Sequence, residues 1–306
     1  MPRKVKLILN PMADMGVAWR MANDLRPIVI EHGGAEWSGT VYPTHATELA
    51  KQAALDGYDL VVAMGGDGTV HEVVNGLMLI PADKRPALGI VPLGSGNDFA
   101  HAIGLPREAD RALSLALEGK PSPVDIIQMT DENGRIEYID NTVGIGFDTV
   151  VTIRSHKLPI VRGFLMYLTA VIQTILLNHN PTLMKIESDS EQWQEEALML
   201  TLCNGPREGG GFIIAPNAKM DDGIIDFALV KKCGRLMMFR LLPEFMKGTH
   251  TGFSQIKMGT CKSFSVRADL PMYIHTDGEI YTSFGSNLKG LSFDMIPNGL
   301  QIVKGQ

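Results

Sequence analysis

The stretch Leu60-Val61-Val62-Ala63-Met64-Gly65-Gly66-Asp67-Gly68-Thr69-Val70-His71-Glu72-Val73-Val74-Asn75-Gly76 decides how the rest of the chain reads. An unbroken apolar run predicts a buried strand, and the spacing after Thr69 predicts a helix over about Val70 to Leu79. Gly65, Gly66 and Gly68 around Asp67 let the backbone approach a ligand closely. N–H groups at a helix start bind anions by hydrogen bonding and by the helix dipole. The pattern therefore points to phosphate. A plain strand-turn-helix corner is the competing reading; it suits a lone Gly-Gly better than Gly-Gly-Asp-Gly-Thr at the carboxyl edge of a strand, where open α/β sheets bind ligands.

A second loop repeats the design. Leu88 to Val91 reads as a strand, followed by Pro92-Leu93-Gly94-Ser95-Gly96-Asn97-Asp98, with Asn97 or Asp98 placed to cap a helix over Asp98 to Ile103. Working outward, strands are expected at Val5 to Leu9 and Gly39 to Tyr42, and helices at Val17 to Glu31, Thr47 to Leu55 and Ala109 to Glu118. This alternation predicts a parallel sheet with crossover helices over residues 1–124, and Asn10-Pro11 ends its first strand beside both loops. After Pro121-Ser122-Pro123 the texture turns to β-type runs, at Ile136 to Ile139, Leu183 to Ile186, Ala197 to Leu202, Ile224 to Val230, Ser263 to Ala268 and Met272 to Thr276. The one helix expected there is Gly163 to Leu177, too short to span a bilayer.

Composition narrows the function. With 28 basic and 34 acidic residues the net charge is −6, so no bulk cationic field exists to hold nucleic acid. Cys203, Cys233 and Cys261 form no CxxC pair, and the histidines have no metal-ligand spacing, which disfavours a disulfide framework or a zinc site. A cytoplasmic protein is the expectation, because the apolar run near the first residue is too short for an export signal. No GxxxxGK[ST] occurs, and no GxGxxG follows the first strand, so the common nucleotide folds do not fit.

The ordered landmarks are Asn10-Pro11, Gly65-Gly66-Asp67-Gly68-Thr69 with Glu72 and Asn75-Gly76, Gly94-Ser95-Gly96-Asn97-Asp98, Val124-Asp125, Gly144-Ile145-Gly146-Phe147-Asp148, Gly210-Gly211-Phe212 with Ala215-Pro216, Asp222-Gly223 and Asp277-Gly278-Glu279. Together they resemble the diacylglycerol kinase catalytic-domain family, the bacterial lipid kinases related to sphingosine and ceramide kinases. The resemblance covers essentially the whole chain. It implies an α/β fold: an NAD-kinase-like nucleotide-binding domain over residues 1–124 with about 291–306, and a β-rich, sandwich-like lipid-binding domain over 125–290, with the active site in the cleft between them. It also implies transfer of the ATP γ-phosphate to a lipid hydroxyl, with diacylglycerol as the leading acceptor, and magnesium as the metal.

By the same resemblance, ATP would lie against Asn10, Pro11, Met12, Ala13, Asp14, Thr44, Gly65, Gly66, Asp67, Gly68, Thr69, Val70, His71, Glu72, Gly94, Ser95, Gly96 and Asn97. Asp67, Asp98 and Asp125 would form the acidic network around the nucleotide and catalytic Mg²⁺. Glu279 would be the general base, with Asp277 orienting it or sharing the role. Lys219, Asp222 and Ile224 would hold a structural magnesium through one carboxylate and two backbone carbonyls. Taken alone, Asp-Gly-Glu and Asp-Asp-Gly also read as turns.

The departures concern the acceptor. Gly94-Ser95-Gly96-Asn97-Asp98 stands where many bacterial members have Gly-Thr-Thr-Asn-Asp, and His71 where they have Asn. Both are similar to the sphingosine and ceramide kinase side, so a sphingosine/ceramide-type or phosphatidylglycerol kinase stays open, as do an NAD kinase and a non-catalytic regulator. The expected partner is a lipid at a membrane surface, contacted peripherally, with Lys157, Arg162, Lys231, Lys232 and Arg235 as candidate headgroup contacts. A homodimer is left open.

Overall fold

The alternating first third folds as β1 (Val5–Leu9), α1 (Val17–Glu31), β2 (Glu36–Gly39), α2 (His45–Leu55), β3 (Leu60–Gly65), α3 (Asp67–Met78), β4 (Ala87–Pro92), α4 (Asp98–Ala102) and α5 (Ala109–Glu118). All are seen in a computed structural model that describes residues 3–157 and 163–305. The strands pair in parallel in the order β2-β1-β3-β4. Every residue of β1 and β3 is buried, as a parallel sheet covered by helices on both faces requires. Val5, Leu7 and Leu9 of β1 and Leu60, Val62 and Met64 of β3 pack with Leu25 and Val29 of α1 and Leu113 of α5.

The chain forms two compact units, Met1–Ile126 with Pro297–Gln306 and Ile127–Ile296. It leaves the first unit within β5 (Pro121–Asp131). The second unit continues with β6 (Ile136–Ile139), β7 (Thr142–Gly146), α6 (Phe147–Ser155), α7 (Gly163–Leu177), β8 (Thr182–Ser188), β9 (Gln192–Cys203), β10 (Arg207–Glu208), β11 (Phe212–Ile213), β12 (Ile225–Lys231), α8 (Arg235–Lys247), β13 (Ile256–Cys261), β14 (Ser263–Ala268), β15 (Ile274–Thr276) and β16 (Glu279–Thr282). The chain then returns within β17 (Gly290–Val303), whose Ile302 pairs in parallel with Leu88 of β4. In the second unit the antiparallel order is β16-β15-β7-β9-β8-β14-β17, with β12 on the other edge of β9. Side chains alternate along β9 and β12: Leu200, Leu202, Phe227 and Leu229 enter an inter-strand core, while Cys203, Ala228 and Val230 pack with the helices.

Several expectations are corrected. The second strand ends at Gly39, because the Thr40 N–H makes its last bond, 2.8 Å to Leu9 O, and Val41 and Tyr42 turn to solvent. Helix α3 starts at Asp67, so Gly68 is helical rather than loop. The second unit is not β with one helix: α6 and α8 are also helical. In α6 the β-branched run Thr149 to Ile153 is buried throughout, and that packing overrides a weak local preference for strand. In α8 Pro243 interrupts the periodic signal inside the helix. Arg162 lies outside the described residues.

Candidate active site

In the first unit both glycine loops sit at the carboxyl ends of adjacent strands, β3 and β4, whose Gly65 and Pro92 are paired. The loops touch through their backbones: a Cβ on Gly94 would lie 2.4 Å from the Gly66 Cα, so no larger residue fits there. Asp67, the first residue of α3, reaches across to the second loop, where its carboxylate accepts from the N–H of Asn97 at 2.7 Å and of Phe99 at 3.3 Å. The expectation that Asn97 or Asp98 caps α4 is therefore corrected. Asn97 occupies the cap position in a left-handed conformation, φ 56°, with no side-chain cap bond. Its amide instead closes the loop on Gly94, with the Gly94 N–H donating to Oδ1 at 3.0 Å and Nδ2 donating to Gly94 O at 2.7 Å.

Glu72 and Asp125 behave alike. Glu72 accepts from the N–H of Thr44 at 2.7 Å and of Ala46 at 3.0 Å, and so caps α2. Asp125, almost fully buried, accepts from the Asn298 N–H at 2.7 Å and pins the returning β17. Asp98 is buried, and a Cβ on Gly96 would lie 2.9 Å from Asp67 Oδ2 and 3.8 Å from Asp98 Oδ2, so these carboxylates flank one exposed glycine. Asn10 ties β1 to α3 through Nδ2 to Thr69 Oγ1 at 3.2 Å, while its Oδ1 accepts from the Met12 N–H at 3.0 Å. Asp14 and Met15 follow with φ 45° and 55°. His71 is buried beside Asn75, whose Nδ2 donates to the His71 carbonyl at 3.0 Å. Pro11, Met12, Thr44, Ser95 and Gly96 are partly or fully exposed around these fixed backbones, Ala13 and Val70 are buried, and at the start of α3 the Thr69 and Val70 N–H groups donate to the Gly66 carbonyl at 3.0 and 3.2 Å.

In the second unit Asp277 and Gly278 form the tight turn between β15 and β16, with φ 50° and 85°, the geometry of an Asp-Gly hairpin. The buried Asp277 carboxylate accepts from the N–H groups of Asn141 and Thr142, both at 2.9 Å, and of Asp140 at 3.2 Å. Glu279, paired with Thr276 at the start of β16, is exposed. Asp277 therefore shapes the turn that presents Glu279. At the proposed cation turn, Asp222 Oδ1 accepts from the Ile224 N–H at 3.1 Å. Burial first, and the Asp222 charge second, push the neighbouring Asp226 carboxyl up to about 6.

A cluster absent from the expected site lies deeper. His275 Nε2 is 3.3 Å from Asp148 Oδ2 and 3.9 Å from Glu208 Oε2, all three residues buried. Tyr167 Oη lies 2.8 Å from Glu208 Oε1 and 3.3 Å from Asp148 Oδ1; Thr201 donates to Asp148 at 2.9 Å and Thr142 to Glu208 at 3.2 Å. Glu208 belongs to a hairpin whose Gly209, at φ 61°, lies so close to the Tyr167 ring that a Cβ would stand 2.6 Å from it. Asp148, Glu208 and Tyr167 form the polar end of a cavity otherwise walled by residues such as Val151, Val171, Ile175, Met199, Phe212 and Val230. Asp148 carried a sequence signal in the Gly144 to Asp148 landmark, and His275 opens the segment that runs into Asp277-Gly278-Glu279. Glu208 and Tyr167 come from a hairpin and a helix with no shared motif.

Residues 4–129 match the family model described as the diacylglycerol kinase catalytic domain, and residues 141–304 match the YegS C-terminal NAD kinase beta sandwich-like domain. The chain belongs to the diacylglycerol kinase family. It is a lipid kinase, a phosphotransferase, with the parallel α/β nucleotide domain and the NAD-kinase-like β-sandwich that this family combines. The kinase is 34% identical over 294 residues to a diacylglycerol kinase of Bacillus subtilis (strain 168), covering 94% of this chain and 92% of the relative. It is 32% identical to a diacylglycerol kinase of Staphylococcus saprophyticus, with 95% and 92% covered. A crystal structure of a putative diacylglycerol kinase from Bacillus anthracis superposes with a TM-score of 0.79 at 25% identity, covering 99% of this kinase and 97% of that chain. Kinase chemistry implies ATP as the phosphoryl donor. Among the described residues no helix is long and apolar enough to cross a membrane.

Proposed function

We propose that this kinase transfers the γ-phosphate of Mg-ATP to the free hydroxyl of diacylglycerol, giving phosphatidate. The observation that carries the acceptor reading is the apolar cavity in the second unit, whose polar lining is Asp148, Glu208 and Tyr167. Such a site suits an acyl chain with a hydroxyl-bearing head. ATP is assigned to the loops of the first unit, whose backbone at Asn97, Gly94 and Thr44 is held in place by the side chains of Asp67, Asn97 and Glu72.

Glu279 takes the hydroxyl proton as the oxygen attacks the γ-phosphorus and the bond to the bridging oxygen breaks, releasing ADP, and Asp277 keeps the turn that presents Glu279. The hard oxygen donors of Asp67, Asp98 and Asp125 suit Mg²⁺, which when bound would neutralise phosphate charge. Asp222, with the carbonyls of Lys219 and Ile224, suits a second such ion, and the raised Asp226 beside it would be relieved by a cation. Membrane contact is assigned to the exposed Leu165, Ile172, Leu176 and Leu177 of α7, without a spanning segment.

The test is transfer of labelled γ-phosphate from Mg-ATP to diacylglycerol, sphingosine, ceramide and phosphatidylglycerol in mixed micelles, with NAD as the soluble control. Label on diacylglycerol supports the proposal, label on another lipid replaces the acceptor, and label on NAD alone overturns the acceptor reading. Glu279→Gln is expected to lower kcat by about 10²-fold or more with the KM for ATP unchanged.

A further inference from the structure

The polar end of the cavity has an unusual charge balance. Two carboxyl groups, Asp148 and Glu208, face an otherwise apolar chamber, and a third titratable group, His275, stands behind them rather than in the chamber wall. A pair of bare carboxylates at the end of an apolar tunnel would be a receptor for a cation. We infer that His275 is a specificity-setting positioning residue: held against Asp148 and Glu208, its ring cancels the charge at the polar end of the cavity and selects an acceptor with an uncharged hydroxyl head over one bearing an ammonium group. The inference rests on the assignment of the acceptor to this cavity.

The geometry supports it from each side. His275 is buried, with Nε2 3.3 Å from Asp148 Oδ2 and 3.9 Å from Glu208 Oε2, within ion-pair distance of both carboxyls. Burial opposes a charged ring, but the Asp148 charge and hydrogen bond, then the Glu208 charge, outweigh it and raise His275 to about 9. Asp148 moves the opposite way, to about 2: burial would raise it, and the His275 charge overcomes that. Glu208 is pushed well above the usual carboxylate range, by burial first and by Asp148 second. The set is thus one cation, one anion and one neutral acid. The other titratable groups facing it are Tyr167 and Cys203, both held neutral by burial, and Asp277, which adds to the field on His275.

A neutral end with Asp148 and Tyr167 in the wall offers hydrogen bonds to a glycerol hydroxyl. It offers no net charge to offset the cost of stripping water from an ammonium group. Removing the His275 charge would leave Asp148 uncompensated and turn the same end into a cation site.

The test needs no turnover. Binding of a long-chain alkyltrimethylammonium ion and of a chain-matched monoacylglycerol would be measured for the wild type, for His275→Gln, and for His275→Gln combined with Asp148→Asn. The ammonium-to-glycerol affinity ratio is expected to rise at least tenfold in the single variant and to return to the wild-type value in the double variant. If the single variant does not fold, the same ratio measured on the wild type from pH 7 to pH 10 is expected to rise as His275 loses its proton. An unchanged ratio in the folded variant, a flat ratio across that pH range, or a wild type that already prefers the ammonium ion overturns the inference. Lipid phosphorylation with neither amphiphile bound overturns it too, and leaves the kinase reading intact. The expected shift with no lipid phosphorylated sustains the role of His275 and overturns diacylglycerol phosphorylation alone.

Discussion

Asp67, Glu72 and Asp125 of the first unit hold backbone, whereas the buried acids at the cavity of the second hold one another. Asp67, Glu72 and Asp125 each accept from main-chain N–H groups, of Asn97 and Phe99, of Thr44 and Ala46, and of Asn298. Asp148 and Glu208 meet His275, Tyr167, Thr201 and Thr142 instead. A carboxylate that accepts from backbone amides fixes a loop. A carboxyl bonded to other titratable side chains has its charge decided by the set. The first arrangement fixes the two glycine loops, and the second leaves the charge of the cavity lining to be set by the group.

The comparison can be broken most severely at the loop contact. Gly94→Ala places a methyl 2.4 Å from the Gly66 Cα, and the separation of the loops should cost about 1–3 kcal/mol and raise the KM for ATP at least tenfold. Thermal melting and ATP kinetics check both, and an unchanged KM would show that the cradle does not depend on that contact.

The pH dependence sharpens the other side. His275, raised to about 9, contributes stability that is fully present below its unfolded value of 6.5 and is lost as pH rises through 9. Glu208, also raised, adds a loss of the same sign as pH rises above 4.5, while Asp148, lowered to about 2, contributes stability lost only as pH falls from 3.8 through 2. Melting temperature should therefore fall between pH 6.5 and 9, by roughly 1–3 kcal/mol of stability, and His275→Gln should flatten that slope.

Smaller effects test single bonds. Asp67→Ala removes the caps on Asn97 and Phe99 and should cost about 1–2 kcal/mol, with little change in that pH slope. Tyr167→Phe removes one hydroxyl from Glu208 and Asp148, and about 1 kcal/mol is expected by denaturant melting. A larger loss in Tyr167→Phe than in Asp67→Ala would reverse the ranking of the two arrangements.

Legibility followed the range of the interactions. Strands β1, β3 and β4, helices α1 and α5 and both glycine loops were readable because their signals are local: apolar runs, 3.6-residue spacing and glycines at strand ends. Helix α6 was not, since Thr149 to Ile153 favour strand locally and only burial between β7 and the rest of the second unit makes them helical. The Asp277-Gly278 turn was legible as a turn and as a landmark, but that its carboxylate collects the N–H groups of Asp140, Asn141 and Thr142 depends on pairing across more than a hundred residues of chain.

By itself the sequence determined the family, both glycine loops and the acids within them, because each is a short motif whose signal is complete within a strand, a turn and a helix start. Only the tertiary structure decided that Asp67 and Glu72 cap distant helices, and that Asp148, Tyr167, Glu208 and His275 share one buried end of an apolar cavity. The physical reason is that the charge a buried side chain carries is set by which groups the fold brings within a few ångströms of it, and no spacing along the chain encodes that distance.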